Sequence, residues 1–239
     1  MMALSDYKDL VATVATIVTI IQFLSGTDIC RKIIKQSSTG NISGFPFIGG
    51  VFCASTWLTY GLLLGDVSIS VTNTVGLLLQ ASYLFIYVKY CILPVSWHAT
   101  RRQMLLFFSA IFIVQYYVFF SGTNAEVIKY HVGLMCCAAS IIFCASPLIS
   151  LKDVFHTQST EMLPFPLIFA TFVMAGLWWL YGIIIQNNFV QYPNMIGCIL
   201  AGLQLLLFIV YPSKGKGLMY QVDGRNGEIQ KLASETIEA

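Results

Sequence analysis

Charge is scarce in this sequence. Of 239 residues only 10% are Asp, Glu, Lys or Arg and 57% are hydrophobic, whereas a soluble domain carries about 25% charged residues. A water-solvated globule is excluded on that ground. Basic clusters are missing too, and a net charge of +2 offers no footprint for nucleic acid. The N-terminus, MMALSDYKDL, places Asp6, Lys8 and Asp9 before the first apolar run. It lacks the positive leader and small-residue cleavage site of a secretory signal, so it is expected to be retained. No CxxC pair occurs among the seven cysteines, which read as small, reduced, apolar side chains. Neither Cys136-Cys137 nor the scattered His98, His131 and His156 has the spacing of a metal or nucleophile cluster. No enzyme activity and no cofactor or metal are expected.

What is present is long apolar blocks. Seven of them, at 10–26, 45–64, 67–91, 103–120, 127–150, 163–186 and 188–211, are long enough to cross about 30 Å of hydrocarbon as helices. Barrel strands would alternate faces, and these blocks do not. The loops after blocks one, three and five and the C-terminal tail collect eleven of the thirteen Lys and Arg residues, leaving only Lys8 and Lys129 for the other side. Loop cations stay cytosolic. The expected topology therefore has the N-terminus outside and the C-terminus in the cytosol.

The chain also repeats itself. At a fixed offset of 121, Ser25 matches Ser146, and Ser38-Thr39 matches Ser159-Thr160. Trp57, Tyr60 and Gly61 match Trp178, Tyr181 and Gly182; Asn73 and Gly76 match Asn194 and Gly197. Two three-span copies in the same orientation need one extra crossing between them, and block four has no counterpart in either copy. The expected fold is thus all-α, seven transmembrane helices arranged 3+1+3. Residues 8–95 form the first repeat, 96–124 the linker helix with its loops, 125–212 the second repeat, and 213–239 a polar cytosolic tail without structure.

The motifs resemble those of the SWEET sugar transporters over about residues 8–212. They are FLSG, RKII and SSTGNISGFPF at 23–47, WLTYG at 57–61, TNTVG at 72–76, CASPLIS at 144–150, STEMLPF at 159–165, WWLYG at 178–182 and YPNMIG at 192–197. Trp57 stands where many plant members carry a small residue, so the resemblance is to animal-type members.

Depth can be read from the chain alone. Trp57 lies about seven residues before the outer end of its span and Asn73 about six after the start of the next, roughly 10 Å below the outer boundary at about 1.5 Å per residue. Trp178 and Asn194 give the same depth. A span Asn defaults to the protein interior because an unpaired amide in hydrocarbon is costly. Two carboxamides and two indoles in one layer suit a neutral sugar, whose hydroxyls need donors and acceptors and whose C–H face lies on an aromatic ring. The resemblance implies that Asn73, Asn194 and Trp178 bind the sugar. Trp57, and on the same faces Cys53 and Met174 one turn toward the cytosol, are expected to complete the lining. Two bulky indoles favour a monosaccharide, and glucose is the expected substrate.

The resemblance further implies an extracellular gate at Tyr60, Gly61, Tyr181 and Gly182, and a hinge set at Pro46, Pro147 and Pro164 with Gly26 in the fourth place. Asn187 stands where plant relatives often carry Asp. No Asp, Glu, Lys or Arg lies deep in a span, and His131 near the start of block five is the nearest exception, so facilitated, bidirectional uniport by alternating access is expected. The alternatives are a proton-coupled amino-acid carrier of the PQ-loop type and a seven-span receptor, which would lack the repeat. The expected partners are the sugar and the lipid bilayer; assembly as a homo-oligomer is left open. The expected location is the plasma membrane, with the Golgi or another endomembrane as the alternative.

Overall fold

A computed structural model describes residues 4–143, 145–161, 163–211, 220–222 and 229–231. The helices are α1 (Lys8–Phe23), α2 (Gly26–Gln36), α3 (Phe45–Leu64), α4 (Val67–Tyr90) and α5 (Pro94–Phe120). They continue as α6 (Ala125–Phe143), α7 (Ala145–Thr157), α8 (Phe165–Ile184) and α9 (Asn188–Val210). Taking α1 and α2 as one crossing, seven helical spans among the described residues are long and apolar enough to traverse a bilayer. The protein is a multi-pass integral membrane protein.

Two expected boundaries shift. The first span does not end in a loop at residue 26. It turns at Leu24 and Ser25 and continues as α2, which carries Arg31, Lys32 and Lys35. The turn frees the carbonyl of Phe23, and the Tyr83 hydroxyl donates to it at 3.2 Å while sharing a 2.9 Å bond with Thr27. Gly26 is required here because a Cβ would stand 2.5 Å from the Tyr83 ring. Span four starts at Pro94 rather than 103, since proline is well placed at a first helical position.

The repeat is visible in the helices. α7 begins and ends 121 residues after the corresponding points of α2, give or take two at its start, and α9 begins 121 after α4. Helix contacts run α1, α4, α3, α6, α9, α8 and back to α1. The third helix of each repeat thus sits between the first and second, and the two triplets close into a six-membered ring. α5 lies outside the ring. It rests on α3 through Phe107 against Phe52, with ring centroids 5.2 Å apart, and through Gln115, which donates to Thr59 at 2.7 Å. The Tyr117 hydroxyl meets His131 Nδ1 at 2.6 Å, joining α5 to α6. His131 therefore faces the linker helix.

The four hinge positions all fall at helix starts. Gly26 opens α2, Pro46 lies in the first turn of α3, Pro164 precedes α8, and Pro147 lies in the first turn of α7. Proline costs little there because the first N–H groups have no intrahelical partner. Among the described residues, Pro193 in α9 is the proline placed inside a helix. In the tail, Tyr220–Val222 and Ile229–Lys231 pair as antiparallel strands β1 and β2, where no structure was expected. The rest of the tail, 212–219, 223–228 and 232–239, lies outside the described residues.

Candidate functional site

A cavity of about 190 Å³ occupies the middle of the ring. Its walls include all six side chains expected around a substrate: Asn73, Asn194, Trp57, Trp178, Cys53 and Met174. Thr19, Phe23, Ile69, Thr72, Ser140, Val190 and Pro193 complete it. Apart from Phe23, every lining residue has its partner 121 positions away in the same wall: Thr19 with Ser140, Ile69 with Val190, and Thr72 with Pro193. Ile69 and Val190 lie one turn before the Asn pair, a spacing the sequence does show, whereas Thr19 and Ser140 come from helices that carry neither pair and have no such signal. The lining contains no charged residue.

The indoles are held across the repeat boundary. Trp178 on α8 donates from Nε1 to Thr19 on α1 at 2.8 Å, and Trp57 on α3 donates to Ser140 on α6 at 3.2 Å. Each half therefore positions the other half's aromatic wall. Thr19 passes its own proton to the Ala15 carbonyl at 2.7 Å.

The carboxamides are anchored within their helices. Asn73 donates from Nδ2 to the Ile69 carbonyl at 2.8 Å, and Asn194 donates to the Val190 carbonyl at 2.7 Å. Each anchor uses one N–H, so an oxygen acceptor and a second N–H remain on each amide for a ligand. Pro193 has no N–H to give to the Phe189 carbonyl, and the Cys137 thiol donates to that oxygen instead at 3.5 Å. The helix wall beside Asn194 keeps its polar groups satisfied despite the proline.

At the cation-poor end, two latches join the halves. The Tyr181 hydroxyl donates to Asp66 Oδ2 at 2.6 Å. Tyr60 and Asn187 exchange bonds of 3.1 and 2.9 Å. The pairs are again related by the offset, and both tyrosines are almost fully buried. Asp66 as a latch partner escaped the sequence reading, although an acid just before an apolar helix is an N-cap signal. Gly61 and Gly182, expected beside them in the gate, each lie against the next helix of their own half. A Cβ on Gly182 would lie 2.7 Å from the Gln191 nitrogen, and one on Gly61 would lie 2.9 Å from Ile69 Cγ2 and 3.0 Å from the Ser70 nitrogen. Both let the second and third helices of their own half approach closely. Gly182→Ala is expected to lower the thermal midpoint of the purified protein more than Gly61→Ala, because its closest neighbours are backbone atoms. Equal midpoints would refute that ordering.

On the cation-rich side of the cavity, Gln22 donates to Thr171 at 2.7 Å across the halves. Phe143 packs tilted against Phe45, with ring centroids 6.1 Å apart, and lies directly against Gly49. Among the described residues, no three His, Cys, Asp or Glu side chains converge as metal ligands.

Comparison with known proteins agrees with this arrangement. The profile of the family described as "Sugar efflux transporter for intercellular exchange" matches residues 9–94 and 130–216, the two repeats without the linker helix. The chain belongs to the SWEET family. Its animal-type character shows in its relatives: it is 39% identical to Sugar transporter SWEET1 of Drosophila pseudoobscura pseudoobscura over 86% of this chain and 90% of that one. It is 30% identical to human Sugar transporter SWEET1, covering 80% and 86% of the two chains. Bidirectional sugar transporter SWEET7 of Arabidopsis thaliana is 28% identical, with 93% and 87% covered. A solved eukaryotic SWEET transporter superposes with a TM-score of 0.77 at 26% identity, covering 85% of this chain and 98% of the other. SWEET proteins are transporters, not enzymes.

Proposed function

We propose that this SWEET protein is a bidirectional facilitative sugar transporter that moves a neutral monosaccharide, glucose by preference, by alternating access around the central cavity. The carrying observation is the cavity wall: paired indoles, paired carboxamides and small hydroxyls, with no charge. A volume of about 190 Å³ is below the roughly 300–1,000 Å³ of pockets for drug-sized ligands, which favours one sugar ring over two. The wall holds no Asp, Glu, His, Lys or Arg to carry a proton through the cycle, so the sugar moves down its own gradient. The same absence counts against a proton-coupled amino-acid carrier, which also needs a counter-charge for its substrate.

In this reading the cation-rich end faces the cytosol. The Tyr60–Asn187 and Tyr181–Asp66 pairs form the outer gate, and the helix starts at Gly26, Pro46, Pro147 and Pro164 are where the halves bend. The plasma membrane is the proposed location. The test is uptake of labelled D-glucose by liposomes holding the purified chain. Uptake without a pH gradient, unchanged when one is imposed, is expected. Uptake that requires the gradient would overturn uniport.

A further inference from the structure

The gate and the sugar site share one residue in each half. Asp66 accepts from Tyr181 through Oδ2, and through Oδ1 it caps α4 by accepting the Ile69 N–H at 2.9 Å. The carbonyl of that same Ile69 anchors the Asn73 carboxamide at 2.8 Å. In the other half, Asn187 Oδ1 accepts from Tyr60 at 3.1 Å and caps α9 at the Phe189 and Val190 N–H groups, at 3.0 and 3.2 Å. The carbonyl of Val190 anchors Asn194 at 2.7 Å. Ile69 and Val190 also form part of the cavity wall.

We propose that Asp66 and Asn187 are positioning residues for the sugar: by capping α4 and α9 they hold the Ile69 and Val190 peptides, and so set the orientation of the Asn73 and Asn194 carboxamides. This rests on the sugar-site reading above. The first turn of a helix has unsatisfied N–H groups and frays when its cap is lost. Here that turn carries the carbonyl to which the ligand-facing amide is tied. A loosened turn lets the amide sample other rotamers, and the ligand must then restore the order it formerly found ready-made. The cap and the latch are thus two separable functions of one side chain. The cap governs affinity, and the latch governs how readily the outer end opens.

The experiment titrates D-glucose against the purified full-length chain, following intrinsic tryptophan fluorescence, and measures exchange flux in liposomes for the same variants. Asp66→Ala removes both functions. Asp66→Ser keeps a capping oxygen but is too short to reach Tyr181, and Tyr181→Phe removes the latch alone. The expected result is about fivefold weaker binding for Asp66→Ala, the usual scale of a lost N-cap. Near-native affinity is expected for Asp66→Ser, and for Tyr181→Phe unchanged affinity with altered maximal flux. Native affinity in a folded Asp66→Ala, failure of Ser to restore affinity, or a Tyr181→Phe affinity loss equal to that of Asp66→Ala would each overturn the proposal. If Asp66→Ala does not fold, Asn187→Ala against Asn187→Ser, which keeps a capping oxygen but is too short to reach Tyr60, makes the same comparison in the other half. Asn73→Ala separates the two readings. If it binds D-glucose normally, the sugar site itself is wrong; if it loses binding while Asp66→Ala does not, only the positioning role is wrong.

Discussion

Asn194→Ala is expected to abolish sugar flux while leaving the protein folded and at its normal abundance in the membrane. The truncation removes the free oxygen and N–H that face the cavity, two hydrogen bonds to a ligand hydroxyl in a water-poor site, each worth about 1 kcal/mol or more. It does little to the fold. The Val190 carbonyl that anchors the side chain sits in the helical ladder, where a backbone N–H already reaches it, and no buried partner is orphaned. Asn73→Ala has the same expected outcome for the same reason in α4. Flux of labelled sugar, normalised to protein in the membrane, checks both. Retained flux in either variant would remove the carboxamide pair from the site.

Trp178→Ala carries the second large effect, and this one acts on stability as well as on transport. Trp178 is 8% exposed and packs in the cluster that joins the halves, beside Tyr181 with ring centroids 5.6 Å apart. Deleting a buried Trp costs about 3–5 kcal/mol, so a clear drop in thermal midpoint and loss of flux are expected together. Trp178→Phe separates the contributions. It keeps an aromatic face for a sugar ring but loses the Nε1 bond to Thr19, and it should bind sugar about fivefold more weakly, for a bond worth about 1 kcal/mol. Trp57→Phe should have a smaller effect, because its bond to Ser140 is longer at 3.2 Å. A Trp178→Ala protein with native melting and native flux would contradict both the packing and the binding roles.

Much of the cavity wall was legible because duplication leaves a record in the sequence. Trp57 and Trp178 share a motif, and so do Asn73 and Asn194. Counting residues from the span ends put all four at one depth without any knowledge of which helices touch. Cys53 and Met174 followed from helical spacing. Thr19 with Ser140 and Ile69 with Val190 did not, since small hydroxyl and β-branched residues are common in every span and nothing local marks a cavity wall. Gly61 and Gly182 were legible only in part. The family resemblance implies a gate there, and which backbone lies opposite each glycine, the neighbouring helix of the same half, came only with the structure.

The sequence alone determined the class of molecule: a scarcity of charge, seven apolar blocks of bilayer length, and a 121-residue repeat that demands an odd linking helix. These are local or one-dimensional properties, and a membrane enforces them span by span because every backbone group must be satisfied within its own helix. Only the tertiary structure decided the order of helices around the ring, the reciprocal indole bonds and the pairing of Asp66 with Tyr181. The spans are largely apolar, and the few polar residues in them, such as Asn73 and Asn194, mark an inward side without saying which helix lies opposite. In lipid, association depends on close fit and a few interhelical hydrogen bonds, and those exist only once distant parts of the chain have met.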